Sequence, residues 1–512
     1  MGFTGGPNEE KAGGAGRKKE RGIPLYQCIR EAVTKEGVLP PSFSLPHEKG
    51  GNEIRFADGA MDGMRMYHMG GTEDNIQALC DVVLLASGQQ AIKAQELLSA
   101  YFADNPFAGM LTMVDDLQAF IRKNKKSLHP DELYQFSAQL LTNSDQAECI
   151  KFAIGILELM DTTEDDELQS IILTLALCDE FTLFCLFLIR SWADANQRIF
   201  EIAKKVRGWG RVHAVERLEP ETQEMADWLL TEGYQSTGLA EYSVMTCIEK
   251  GGLLERLRRG SLSDRELEAA HDLICLAIEE ERPVPGLNSC EDRGEELLAA
   301  YLRCIRPLPP AAPMLAAVFS VIDHFNRLGG SLYAPYLALC REIVDAPAAM
   351  QAVREAVQKG EGFAVAGRMG IDCGTQVLQA MDRDFHGAYD HIQYLLPDGF
   401  LADEVIALFE KHLPLEKMAS GPEDKSIRYM PRDEHALSCI LQFLRSFPGK
   451  GERLIACALL SPFIPCRNAA LNSLDAWKAQ DYTPSPLLKE ALEKLMASEV
   501  AEDIQERLEA YR

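Results

Sequence analysis

Basic residues are the scarcer charged class in this chain: 52 Lys and Arg stand against 78 Asp and Glu, a formal charge of -26 over 512 residues. Such a field repels polyanions and anionic lipid surfaces, so nucleic acid and membrane are excluded as expected partners. The one basic cluster, Arg17-Lys18-Lys19-Glu20-Arg21, closes a Gly-rich polar stretch too poor in apolar residues to serve as a signal peptide. Residues 1–25 are therefore expected to form a disordered leader. No two of the 14 cysteines form a Cys-x-x-Cys pair, and most sit among apolar neighbours, as in TLALCDEF. They read as small buried hydrophobes of a reduced, cytoplasmic protein rather than as a disulfide framework. No apolar run reaches bilayer length without a charge. The strongest, Ile171 to Ile189, is divided by Asp179 and Glu180, which predicts two helices meeting at an acidic corner. A P-loop, a G-x-S-x-G elbow and an H-E-x-x-H helix are also missing, which removes the local signatures of nucleotide, serine-hydrolase and zinc-peptidase chemistry. A site assembled from distant residues leaves no such trace.

What is present is helical text. From Thr72 onward a polar cap is followed by ten to fifteen residues with apolar positions at helical spacing, then by another break. Ser144–Leu159, Asp165–Cys178, Asp194–Val206, Ser263–Ile278 and Ser485–Met496 are the clearest cases, each opening on Ser or Asp that can accept first-turn amides. In the first of them Ile150, Ala153, Ile154, Leu157 and Met160 form the apolar stripe, and Lys151 and Glu158 are expected to face away from it. Between Pro130 and Gly233 helix starts are expected about every twenty residues, a pair of about forty, which is the spacing of HEAT and armadillo repeats. FIPCRNAALNSLDAW reads as the second helix of such a unit, with Ala470, Leu471 and Leu474 inward. The expected fold is all-α: an α-solenoid of stacked helical pairs, with an irregular helical bundle as the alternative. Strand material is scarce, and its best candidate is EIRFADGAMDGMRMYHMGG, where Asp58-Gly59 and Asp62-Gly63 suit tight turns of a short hairpin or irregular cap. The expected organisation is a leader (1–25), an N-terminal cap (26–71), a helical-repeat block (72–306) and, after the stiff RPLPPAAP, a second block (307–512) that contains a polar loop from Pro414 to Asp433.

Few constellations carry chemistry. Glu268-x-x-His271 is half of a di-iron carboxylate site, but no second Glu-x-x-His occurs, so a solvated helix face is expected. His386 and His391, with Asp382, Asp384 and Asp390 nearby, form the densest group of potential metal ligands; their spacing of five points them to different sides of a helix, although a loop could bring them together. The glycines of GEGFAVAGRMGIDCG follow a helix rather than a strand, which removes a dinucleotide fingerprint. Cys373 lacks the ordered loop of a haem thiolate, with Ile371 and Thr375 where that loop carries Arg and Gly. Cofactors are accordingly expected to be none. Trp209, in GWGRVHAVERL, is expected to pack between repeats.

The segments GWGRVHAVERLEPETQEMADWLLTEGY and FADGAMDGMRMYHM resemble a family of Gram-positive bacterial chains commonly labelled limonene hydroxylase, and the resemblance extends over most of the chain after the leader. By its label it implies an oxygenase acting on a monoterpene; it carries no functional residue across. The residues themselves point instead to a non-enzymatic helical-repeat scaffold binding a protein or peptide that is basic or neutral. An oxidoreductase whose cofactor site is hidden from the sequence is the alternative.

Overall fold

The computed structural model describes residues 22–46, 56–69, 75–260, 262–280, 284–290, 292–395, 401–423, 425 and 430–511. Most of the expected leader, with Arg17 to Arg21, lies outside them, as does part of the Pro414–Asp433 loop. Residues 22–25 of the expected leader are described: Gly22 N–H donates to Asp145 at 2.7 Å, and Leu25, 4% exposed, opens the first helix.

Among the described residues the chain is all-α. There is no strand, only an isolated bridge between Lys425 and Phe463. The expected hairpin is a helix. Asp58-Gly59 does turn the chain, with Gly59 at φ 76°, but it turns into a helix of eight residues, Ala60–Tyr67, and Gly63 lies inside that helix. A left-handed glycine can precede a helix as readily as it can join two strands, and the period of two in so short a segment does not decide between them.

The chain divides into two compact units, Met1–Leu297 and Leu298–Arg512. The division falls inside a helix ahead of RPLPPAAP, and Pro313 of that segment sits in the first turn of the next helix, Ala312–Leu328, where a missing N–H costs nothing. In the first unit the helices are α1 (Leu25–Ala32), α2 (Ala60–Tyr67), α3 (Gln77–Ser87), α4 (Ala91–Asp104), α5 (Met110–Asn124), α6 (Pro130–Asn143), α7 (Ala147–Leu157), α8 (Asp166–Leu175), α9 (Asp179–Ile189), α10 (Ala195–Lys205), α11 (Trp209–Arg217), α12 (Gln223–Trp228), α13 (Ala240–Lys250), α14 (Leu253–Arg259) and α15 (Asp264–Ile278). From α6 to α11 they start at 130, 147, 166, 179, 195 and 209, intervals of 17, 19, 13, 16 and 14. The helix starts are therefore more closely spaced than the expected twenty residues. Alternate helices pack side by side, α5 on α7, α7 on α9, α9 on α11, α11 on α13 and α13 on α15.

Three of the five expected caps are in place, whereas Asp194 makes no capping hydrogen bond and Ser144 lies two residues ahead of Gln146, the uncapped start of α7. Asp165 accepts Leu168 N–H at 2.9 Å, Ser263 and Glu266 form a reciprocal capping box, and Ser485 accepts Leu488 N–H. The acidic corner also forms as expected, with Asp179 and Glu180 opening α9. In the second unit Arg432–Leu444 packs on Ile464–Lys478, and Glu452–Leu459 on Pro486–Ser498. There Trp477 Nε1 donates to Leu444 O at 2.7 Å, and Ala470, Leu471 and Leu474 are buried as expected. No helix among the described residues is long and apolar enough to cross a membrane.

Candidate functional site

The first unit gathers its unusual chemistry at one edge of the α5–α7–α9–α11 row. Lys151 does not face away from the apolar stripe; it is 1% exposed, and the rest of α7 around it is buried too. Its Nζ donates to Asp62 Oδ2 of α2 at 2.7 Å, to Glu148 Oε1 one turn back at 2.9 Å, and to Glu180 Oε1 of α9 at 2.5 Å. All three ammonium donors are thus satisfied by carboxylates, which is what an interior lysine requires. Burial by itself lowers the Lys151 pKa, but the three carboxylates together hold it well above the usual lysine range.

Two of these carboxylates, and the neighbouring Asp179, also serve a helix start. Glu148 Oε2 accepts Met110 N–H at 2.6 Å at the head of α5, and Glu180 Oε2 accepts Gly59 N–H at 2.7 Å ahead of α2. Asp179 accepts Gly208 N–H at 3.1 Å and Gly210 N–H at 3.2 Å at the head of α11. Orphan amides and the positive end of the helix dipole favour a carboxylate at each of these places. The glycines of GWG follow from the same geometry: a Cβ at Gly210 would sit 2.5 Å from both Asp179 Oδ1 and Thr182 Oγ1. Burial raises the Asp179 pKa to about 6 against the lowering effect of the two amides, and burial likewise raises Glu148.

Beside the cluster lies an aromatic group. Trp209, 6% exposed, stacks on Tyr67 at 5.9 Å and on His213 at 6.0 Å, and packs against Tyr242 at 4.8 Å. Trp209 is thus a packing residue between helices, and the two segments that carry the family resemblance meet at its ring. His213 is 1% exposed and neither ring nitrogen has a hydrogen-bond partner. Burial, helped by Arg217, lowers its pKa from 6.5 to about 3.

That depression gives a pH test. Between about 3 and 6.5 the unfolded chain binds a proton at His213 that the folded chain refuses, so this residue's contribution to stability falls as pH drops through that window, by about 2 kcal/mol at about pH 5. Asp179 acts oppositely: between 3.8 and about 6 the folded state holds the extra proton, so its contribution rises as pH falls. The histidine shift is the larger. His213→Phe is expected to remove the acid loss, so that the urea midpoint of the variant relative to wild type rises steadily from about pH 7 to about pH 5. Parallel midpoints would show that His213 does not titrate this way.

The other candidates fall apart from one another. His386 Nε2 lies 3.5 Å from Asp433 Oδ1, while His391 packs on Phe363 at 5.1 Å and its buried Nδ1 has no partner. Asp382 holds Lys411 at 2.7 Å, and Asp384 caps Gly387 N–H at 3.0 Å. Among the described residues no three His, Cys, Asp or Glu side chains are placed to hold a metal. His271 is not on a solvated face. It is 5% exposed, and burial lowers its pKa to about 4. Cys373 is 1% exposed in a loop closed by Tyr394 O at 3.7 Å from its sulfur, and burial raises its pKa.

A groove of about 300 Å³ runs between the 3₁₀ segment Tyr389–Tyr394 and the helix Arg432–Leu444. Ile392, Leu395, Phe443 and Phe447 give it an apolar floor, and Asp390 supplies a carboxylate. At its margin Tyr389 Oη lies 2.9 Å from His435 Nδ1, and Cys439 Sγ 3.8 Å from the same nitrogen.

In comparisons with known proteins, no family model, no curated protein and no solved structure matches this chain.

Proposed function

We propose that the chain is a non-enzymatic α-solenoid scaffold of stacked helical pairs that binds a basic or neutral peptide segment of a partner protein. The side-by-side packing of alternate helices from α5 to α15 carries this reading, because no helix of such a row buries its apolar stripe alone. The groove at Phe443 and Phe447 fits the same reading. Its apolar floor suits an aliphatic stem, and Asp390, on a chain of charge -26, suits a cationic tip.

The test uses labelled model peptides on the full chain, one alternating Leu with Lys and one alternating Leu with Glu. Saturable binding of the basic peptide, weakened about tenfold or more by Phe443→Ala and by added salt, is the expected result. No binding, or equal binding of the acidic peptide, would overturn it. Stoichiometric haem, flavin, iron or copper in the purified protein would overturn it in favour of the oxidoreductase implied by the family resemblance.

A further inference from the structure

Helix α2 is unlike its neighbours. It buries no aliphatic side chain; its only buried residues are Asp62 and Gly63, whereas α7 buries nine and α9 eight. It nevertheless touches the whole row. Asp62 reaches Lys151 of α7, Gly59 N–H reaches Glu180 of α9, and Arg65 Nη2 donates to Phe107 O, just ahead of α5, at 2.6 Å. Tyr67 stacks on Trp209 of α11, and His68 Nε2 lies 2.6 Å from the Tyr242 hydroxyl of α13. The backbone comes close because two glycines allow it: a Cβ at Gly59 would stand 2.5 Å from Asp179 O, and one at Gly63 would overlap the Trp209 ring. Charged, glycine-mediated and aromatic contacts without aliphatic burial are closer to the more polar contacts between separable parts of a chain than to core packing.

We infer that the α5–α7–α9–α11–α13 edge is a helix-binding surface and that α2 is its resident intramolecular ligand, displaceable by a partner helix with the same signature. That signature is two small residues four apart, an aspartate three after the first, and an aromatic four after the second, matching Gly59, Gly63, Asp62 and Tyr67. Release does not strand the lysine, because Lys151 keeps Glu148 and Glu180 when Asp62 leaves. The partner's aspartate then takes the third ammonium donor. This rests on the scaffold reading and names the partner chemistry for one of its faces.

The probe is a labelled synthetic peptide of residues 56–69 added to full-length protein carrying Gly63→Leu, which drives a side chain into the Trp209 ring and expels α2 without altering the row. Saturable binding is expected, at least about tenfold tighter than to wild type, whose site is occupied. The same peptide with Asp62→Asn is expected to bind about tenfold or more weakly, having lost a hydrogen bond to a charged group. Absence of binding to a Gly63→Leu protein with unchanged helicity would overturn the inference. Should that variant unfold, native-state hydrogen exchange of wild type decides: amides of 60–67 exchanging well before those of α7 and α9 support a detachable helix, and exchange of all three together overturns it. Binding of the Leu–Lys peptide to Phe443 and Phe447 is measured on the same Gly63→Leu protein. Retention there with failure here leaves the scaffold reading standing without this surface.

Discussion

Replacing Lys151 with methionine is expected to lower the stability of the first unit by about 3–5 kcal/mol, the cost of stranding buried carboxylates without their cation. Methionine keeps the length and apolar stem of the side chain, so the loss reports charge rather than a cavity. Asp62, 2% exposed, and the partly covered Glu148 and Glu180 would face one another with nothing to neutralise them. The Glu148 pKa, which burial has already raised, would then rise further. A carboxylate whose folded pKa exceeds its unfolded value loses stability as pH rises, so the gap between variant and wild type is expected to narrow on acidification toward the unfolded carboxylate range. Three of the four tryptophans, Trp192, Trp209 and Trp228, lie in this unit, so fluorescence-detected urea unfolding follows it preferentially. A loss below about 1 kcal/mol, or a gap independent of pH, would show that the cluster is worth no more than a surface ion pair. Adding Asp62→Asn and Glu180→Gln to Lys151→Met is expected to recover much of the loss, since amides keep some of the acceptors that Gly59 and its neighbours need.

The helices were legible and the cluster was not, for one physical reason. A cap is a local contract between neighbours in sequence, so Asp165, Ser263 and Ser485 announce their helices correctly. An interior charge is settled by partners far along the chain: Asp62 and Lys151 are 89 residues apart, and Lys151 and Glu180 are 29 apart. A signal did exist at α7. AECIKFAIGIL is apolar on every side, and a helix of that kind is buried all round, so a lysine within it must be paired inside rather than turned to solvent. Of the expected stripe, Ile150, Ala153, Ile154 and Leu157 are buried in α7 while Met160 lies beyond its end and is half-buried, and the expectation that Lys151 lies opposite the stripe is the error. His271 misled in the same way, because one glutamate a turn away on an exposed face says nothing about the ring's own burial. The glycines of α2 were visible as turn formers, but their task of letting backbone meet Asp179 and Trp209 depends on residues more than a hundred positions away.

In the second unit Arg467→Leu is expected to cost about 3–5 kcal/mol as well, and here geometry allows less relief. The guanidinium and the Glu499 carboxylate are both 0% exposed and joined twice, Nε to Oε2 at 2.7 Å and Nη2 to Oε1 at 2.9 Å. The remaining donors are also committed, Nη1 to Ser461 O at 2.8 Å and Nη2 to Glu423 O at 3.0 Å. Glu499 in turn accepts Val500 and Ala501 N–H, each at 2.9 Å, and so fixes the turn into the last helix, Glu502–Leu508. Arg467 therefore ties the Ile464–Lys478 helix to the segments of Glu423 and Glu499. Lysine cannot stand in, because one ammonium cannot span both carboxylate oxygens and two carbonyls from the same stem, and Arg467→Lys is expected to lose about 2 kcal/mol or more. The double variant Arg467→Leu/Glu499→Met separates charge from tethering. If the cost comes from an unpaired buried carboxylate, the pair of substitutions is more stable than Arg467→Leu alone. If it comes from the loops losing their tie, the second substitution removes the acceptor for Val500 and Ala501 and the losses add. We expect the first outcome for the global urea midpoint and the second for hydrogen exchange confined to residues 499–508, since burial energy is felt by the whole unit whereas a turn's amides report only themselves.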